Sequence, residues 1–173
     1  DRKHTQAICE GLIARGLAPK IEWRVQTRLN GMKNELLRLM KDAGCAEIYT
    51  GLETGSDEMQ GEISKLTLDE FLEYRAFGDS IGLPISPNFI FGLPGETYET
   101  AMESARFYHQ LGFAIVPNVN LTYPKTRYHD EAIDRGELAG DTWDEVVLGA
   151  GLVGTDMDKP TIDRLRARAQ QTE

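Results

Sequence analysis

The feature that most constrains this chain is a unit it uses at least twice: an apolar run that stops at glycine and gives way at once to polar residues. Pro84 to Glu96 is the clearer copy. Ser86 to Phe91, with Phe89, Ile90 and Phe91, reads as a buried strand. Gly92-Leu93-Pro94-Gly95 reads as a tight turn, and Glu96-Thr97-Tyr98-Glu99 as a helix start with acidic residues where the macrodipole favours them. The other copy runs from Ala46-Glu47-Ile48-Tyr49-Thr50 into Gly51-Leu52-Glu53-Thr54-Gly55-Ser56. Strands that end in glycine and carboxylate place backbone amides and charge at the carboxyl rim of a sheet, where α/β proteins bind ligands.

The rest of the chain fits that unit. Lys3 to Arg15 carries a helical stripe (Ala7, Ile8, Leu12, Ile13) and stops at Gly16. Lys20 to Leu29 alternates and predicts a strand. Asn34 is placed to cap a helix with the stripe Leu36, Leu37, Leu39 and Met40, closed at Gly44. Cys45 to Leu52 is a strand. Leu66 to Ile81 is a helix with Thr67 and Glu70 spaced as a capping box, ending at Gly82 before Pro84. A helix from Glu96 to Leu111 closes at Gly112, and Phe113 to Leu121 is an apolar strand broken by Tyr123-Pro124.

The order αβαβαβαβ with short connections predicts parallel strands joined by right-handed crossovers, in an α/β fold. Near-identical consecutive units suit neighbouring staves of a partial (β/α) TIM-like barrel better than a sheet whose order reverses. Four strands cannot close a barrel, so the chain is expected to hold only its C-terminal strands and helices. Residues 1–123 form that part and 124–173 an extension, with a helix at Tyr128 to Arg135, an ambiguous stretch at Thr142 to Leu148 and a short charged helix at Thr161 to Arg168. The opening at Asp1, without an initiator methionine, suggests an internal segment of a longer protein.

Composition narrows the function classes. A net charge of −9 over 173 residues argues against general nucleic-acid affinity, which needs a basic face to displace counterions. No apolar run reaches membrane-span length and no signal peptide is visible. Cys9 and Cys45 match no metal spacing and suit a reducing compartment, hence the cytoplasm.

Several side chains are candidates for a site. Glu53, between Gly51 and Gly55, is either a carboxylate accepting hydrogen bonds from a polar ligand or a loop cap; the glycines and the matching turn at Gly92 favour a site. Glu96 is expected to face solvent. Gln26 and Arg28 lie on the polar side of their strand, and Arg28 either pairs with a ligand carboxylate or bridges to a neighbouring strand. Asn88, polar within an apolar strand, needs a partner. Lys65 reads by itself as a solvated lysine. Gly149-Ala150-Gly151-Leu152-Val153-Gly154 matches a dinucleotide fingerprint but lacks the following helix and reads as a loop. His4 and His109 are surface helix residues, Trp23 and Trp143 packing residues, and Asp156-Met157-Asp158 is too short for a calcium loop.

Taken in order, Ile8-Cys9-Glu10-Gly11-Leu12-Ile13, Trp23 to Arg28, Leu36 to Cys45, Gly51-Leu52-Glu53-Thr54-Gly55-Ser56 and Phe89 to Thr97 resemble the radical SAM enzymes that carry an N-terminal cobalamin-binding domain. That group includes the anaerobic magnesium-protoporphyrin ester cyclase and many methyltransferases. The likeness covers roughly residues 1–138 and continues through Tyr123-Pro124 and Thr126, where Lys125 replaces the usual glycine of a Pro-Gly-Thr turn. It implies a partial (β/α)₆ barrel holding a [4Fe–4S] cluster and S-adenosylmethionine. Homolysis of the cosubstrate would yield a 5′-deoxyadenosyl radical that abstracts hydrogen from a small-molecule substrate, with an electron donor such as flavodoxin or ferredoxin.

By motif position, Glu53 would meet the ribose or methionyl part and Gln26 and Arg28 its polar end. Asn88 would reach the ribose, Ile90 and Gly92 would back the adenine, and Lys65 would lie near the methionyl carboxylate. The cluster cysteines and the cobalamin domain would both precede Asp1, so the segment alone is expected to be inactive and the use of cobalamin stays open. Two rival readings remain: a barrel lyase or hydrolase that works without iron, with Glu53 as base, and a degenerate barrel that serves as a binding module.

Overall fold

In a computed structural model, residues 1–113, 118–120, 123–136, 138, 157 and 159–170 are described. The elements are α1 (Arg2–Ala14), a 3₁₀ turn (Ala18–Lys20), β1 (Trp23–Gln26), α2 (Asn34–Asp42), β2 (Cys45–Glu53), α3 (Asp57–Ile63), α4 (Leu68–Ser80), β3 (Ile85–Phe91), α5 (Tyr98–Gln110), β4 (Asn118–Val119), α6 (Arg127–Asp134) and α7 (Lys159–Gln170). The four strands lie in the order β1-β2-β3-β4, and the pairings of β1 with β2 and of β3 with β4 are parallel. Parallel neighbours in chain order, with helices between them, are the topology of consecutive barrel staves. The expected fold class, α/β with the strands and helices of a partial (β/α) barrel, is the one found.

The chain divides into two compact units, Asp1–Leu52 with Ser64–Asn88, and Glu53–Ile63 with Phe89–Glu173. In the first, Leu37 and Met40 of α2, Ile48 and Leu52 of β2, Phe71 of α4 and Ile85 of β3 are all buried. Their periods explain this: Leu37 and Met40 share one stripe of α2, and Ile48, Thr50 and Leu52 occupy one side of β2. In the second unit, Phe91 and Ala101 pack with Met157, Ile162 and Leu165, so α7 closes the core that β3 and α5 open.

Some boundaries differ from expectation. β1 covers Trp23–Gln26 alone, because a turn at Leu29–Met32, with Gly31 at φ 62, ends it early. Lys33, not Asn34, occupies the cap position of α2, and Asn34 is its first helical residue. α3 carries too weak a stripe to be read from sequence, with only Met59 and Ile63 one turn apart. Of the strand expected at Phe113 to Leu121, Asn118–Val119 is found; residues 114–117 and 121 lie outside the described residues. So do the stretch 142–148, the glycine-rich 149–154, Trp143, Asp156 and Asp158. Among the described residues no helix is long and apolar enough to cross a membrane.

Candidate functional site

The first unit carries a polar face on its strands. Arg24 lies opposite Glu47, and Gln26 opposite Tyr49, in the β1–β2 register. Residues paired across a sheet point to the same side, so these four share a face. Ser86 of β3 joins it: its hydroxyl donates to Glu47 Oε1 at 2.6 Å, while Tyr49 donates to Glu47 Oε2 at 2.7 Å. Burial alone would raise the Glu47 pKa, but the hydrogen bonds from Ser86 and Tyr49 and the Arg24 charge hold it below the ordinary carboxylate value. The bond to Glu47 raises the Tyr49 phenol in turn. Asn88, half-buried, follows Ser86 on that face by strand alternation.

The first unit places the other candidates as follows. Gln26 ends β1, and Arg28 lies just beyond it; both are exposed. The cross-strand bridge considered for Arg28 is made by Arg24, to Glu47 at 3.5 Å, and Arg24 also pairs with Glu22 at 2.9 Å. Lys65 is exposed, and its carbonyl accepts a hydrogen bond from Asn30 Nδ2. That ties the Lys65 segment to the turn that follows Arg28.

In the second unit Glu53 is the last residue of β2, half-buried, with φ 64. A non-glycine residue in the left-handed region at a strand end is uncommon, and such strain gathers at ligand sites. The turn behind it is tied to α5. Gly55 N–H donates to Ser104 Oγ at 2.9 Å, and the Thr54 and Ser104 hydroxyls lie 3.0 Å apart.

Gly92 follows the last residue of β3, so each glycine-and-carboxylate motif lies at the carboxyl end of its strand. Gly92 has φ 79, and its N–H donates to Glu96 Oε2 at 2.6 Å, with Leu93 N–H on the same oxygen at 3.4 Å. Glu96 was expected to face solvent; it is 0% exposed. Its carboxylate folds back on the turn that precedes α5, which is why it is inside. Burial pushes its pKa up to about 7, against the opposing pull of the Gly92 and Leu93 amides. Ile90 is half-buried near the end of β3. Lys125, where the resembling family has glycine, has φ 65, in the left-handed region that glycine adopts freely.

Sequence reasoning missed Ser104 and the burial of Glu96. A signal for Ser104 existed: Thr100, Ala101 and Ser104, all small and spaced to share one side of α5, are buried. Small residues on a buried stripe mark a backbone that comes close. As for metal, no group of three or more His, Cys, Asp or Glu side chains among the described residues could hold an ion. Cys9 and Cys45 are free and buried, and burial raises both thiols, that of Cys45 to about 11. They suit packing and do not fit thiolate ligation of a cluster. Glu53 in the second unit and the polar strand face of the first each offer hydrogen-bonding groups of the kind a polar ligand takes.

Comparison with known proteins gives a concordant picture. The family model described as the radical SAM superfamily matches residues 1–108. An uncharacterised methyltransferase of Pyrococcus horikoshii is 27% identical over 125 residues, covering 71% of this chain and 27% of the relative. The anaerobic magnesium-protoporphyrin IX monomethyl ester cyclase of Cereibacter sphaeroides is 33% identical over 109 residues, or 61% of this chain and 18% of that protein. Among solved structures, the radical S-adenosylmethionine methyltransferase TsrM from Kitasatospora setae, with cobalamin and a [4Fe-4S] cluster bound, matches at a TM-score of 0.64 and 16% identity. That match covers 78% of this chain and 27% of TsrM, and the likeness is one of fold. The chain thus spans between 18% and 27% of these three proteins.

Proposed function

Because this chain belongs to the radical SAM superfamily, we propose that its strand ends bind S-adenosylmethionine within a radical enzyme of cyclase or methyltransferase type. In the whole protein the cosubstrate, with a [4Fe–4S] cluster ligated outside the described residues, would supply a 5′-deoxyadenosyl radical to a small-molecule substrate. Residues 1–123 are the barrel portion in this reading and residues 124–173 the extension. The observation that carries it is the left-handed Glu53 at the carboxyl end of β2, within the stretch that matches the family.

Each residue has a defined task. Glu53 accepts hydrogen bonds from the ribose hydroxyls or the methionyl ammonium. Arg28, with Gln26 beside it, presents donors to the polar end, and Arg is the side chain whose fork matches a carboxylate. Lys65 adds a second cation towards the methionyl carboxylate. Asn88 reaches the ribose. Ile90 packs against the adenine, and Gly92 offers its carbonyl and its lack of a side chain, since its N–H is engaged by Glu96.

The working environment in this reading is the cytoplasm, with flavodoxin or ferredoxin as electron donor. Cobalamin is the added cofactor for the methyltransferase branch, which the bound cobalamin of TsrM supports. The test is Glu53→Ala in the full-length protein, reconstituted without oxygen. Loss of a charge-assisted hydrogen bond predicts about 10- to 100-fold weaker S-adenosylmethionine binding by calorimetry, at unchanged iron content. Unaltered affinity would contradict the assignment.

A further inference from the structure

We infer that Ser104, on α5, is the positioning residue that holds Glu53 in its left-handed conformation and so sets cosubstrate affinity. The inference rests on the reading of Glu53 given above. Ser104 is 1% exposed, and its hydroxyl sits at the hub of a buried network. The Ser104 hydroxyl donates to the Thr100 carbonyl at 3.1 Å. Its one proton is then spent, so the Thr54 hydroxyl, 3.0 Å away, supplies the proton between the two. Gly55 N–H donates to Ser104 Oγ at 2.9 Å, and Thr54 Oγ1 accepts from Ser56 N–H at 3.2 Å. Every donor is matched, and each of the three residues after Glu53 is fastened.

Two further contacts tighten the same turn. Gln60 Nε2 donates to the Thr54 carbonyl at 3.0 Å, and Ser56 Oγ donates to Glu103 Oε2 at 2.5 Å. Gly55 lies so close to α5 that an added Cβ would stand 2.9 Å from Ser104 Cα and 3.0 Å from Phe107 Cβ. A non-glycine residue with φ 64 persists only where its surroundings over-determine it. Here those surroundings are the fastened turn, and Ser104 is the side chain that accepts both from its backbone and from Thr54.

The experiment measures S-adenosylmethionine affinity by anaerobic calorimetry on the full-length reconstituted protein, as a double-mutant cycle of Ser104→Ala and Glu53→Ala. Ser104→Ala is expected to weaken binding about tenfold alone, and to add nothing once Glu53 is gone. A residue that merely supports the fold would weaken the Glu53→Ala protein by the same factor, and that result overturns the inference. An unchanged affinity in Ser104→Ala, beside a weakened Glu53→Ala, also overturns it while leaving the role of Glu53 intact. If Glu53→Ala itself binds normally, the reading of the site fails and this inference with it. Should Ser104→Ala not fold, Thr54→Val, which removes one hydroxyl at nearly constant shape, takes its place. The same coupling supports the proposal, and no effect or a multiplicative one overturns it.

Discussion

At the scale of single residues, Glu53 and Glu96 make opposite bargains with the fold. Glu53 occupies φ 64, which costs an L-residue roughly 1–2 kcal/mol, whereas glycine there gives up only about 0.5–1 kcal/mol in chain entropy. The backbone contribution of Glu53→Gly is therefore expected to lie between no change and about 1.5 kcal/mol of added stability in urea unfolding, while cosubstrate affinity falls. A clear loss of stability would mean the carboxylate supports the fold instead of a ligand. Glu96 is held by two backbone amides yet buried, and its pKa rises from 4.5 to about 7. The folded state thus keeps a proton that the unfolded chain releases, so its stabilising share is whole below pH 4.5 and is lost as pH rises through about 7. Glu96→Gln, whose amide oxygen can still accept from Gly92, is expected to flatten the stability profile across that window. Denaturant midpoints that shift equally with pH in both proteins would contradict this.

At the scale of elements, two glycines in helices separate propensity from packing. Gly61 of α3 has nothing within 4 Å of where a Cβ would stand, so Gly61→Ala is expected to gain about 0.5–1 kcal/mol. In α4, a Cβ on Gly78 would meet the Leu83 carbonyl oxygen at 2.5 Å and the Ile85 side chain at 3.0 Å. The same substitution there forfeits the helix gain to a clash worth about 1–3 kcal/mol and lowers stability. Thermal unfolding of the two variants should move in opposite directions; movement the same way would mean the α4–β3 contact yields. Elements with a cap or an apolar run stopped by glycine were legible in the sequence: α4 with the Thr67–Glu70 capping box, and β2, which runs into Gly51 to Gly55. α3 was not, because its stripe is too short. Neither was the inward Glu96, because a first-turn glutamate reads as solvent-facing until the turn it folds back on is known. Ser104 escaped for a related reason: a serine in a helix shows its worth only through the turn that docks on it.

At the scale of the whole molecule, the parallel order β1-β2-β3-β4 and the match over residues 1–108 place this chain among the radical SAM proteins. The fold class was readable because the strand–glycine–helix unit repeats, and repetition in chain order fixes which strands are neighbours. The candidate site was named from motif positions and remains a proposal. In the proposed reading its chemistry depends on cluster ligands outside the described residues, and on a substrate that no residue here names. The central claim is that these strand ends grip S-adenosylmethionine for reductive cleavage. The measurement that tests it most directly is 5′-deoxyadenosine formation by the full-length, iron-reconstituted protein under a low-potential reductant, with and without iron. The account predicts 5′-deoxyadenosine that requires iron and falls with Glu53→Ala at limiting S-adenosylmethionine; a fully loaded cluster that binds no S-adenosylmethionine and releases none would contradict it.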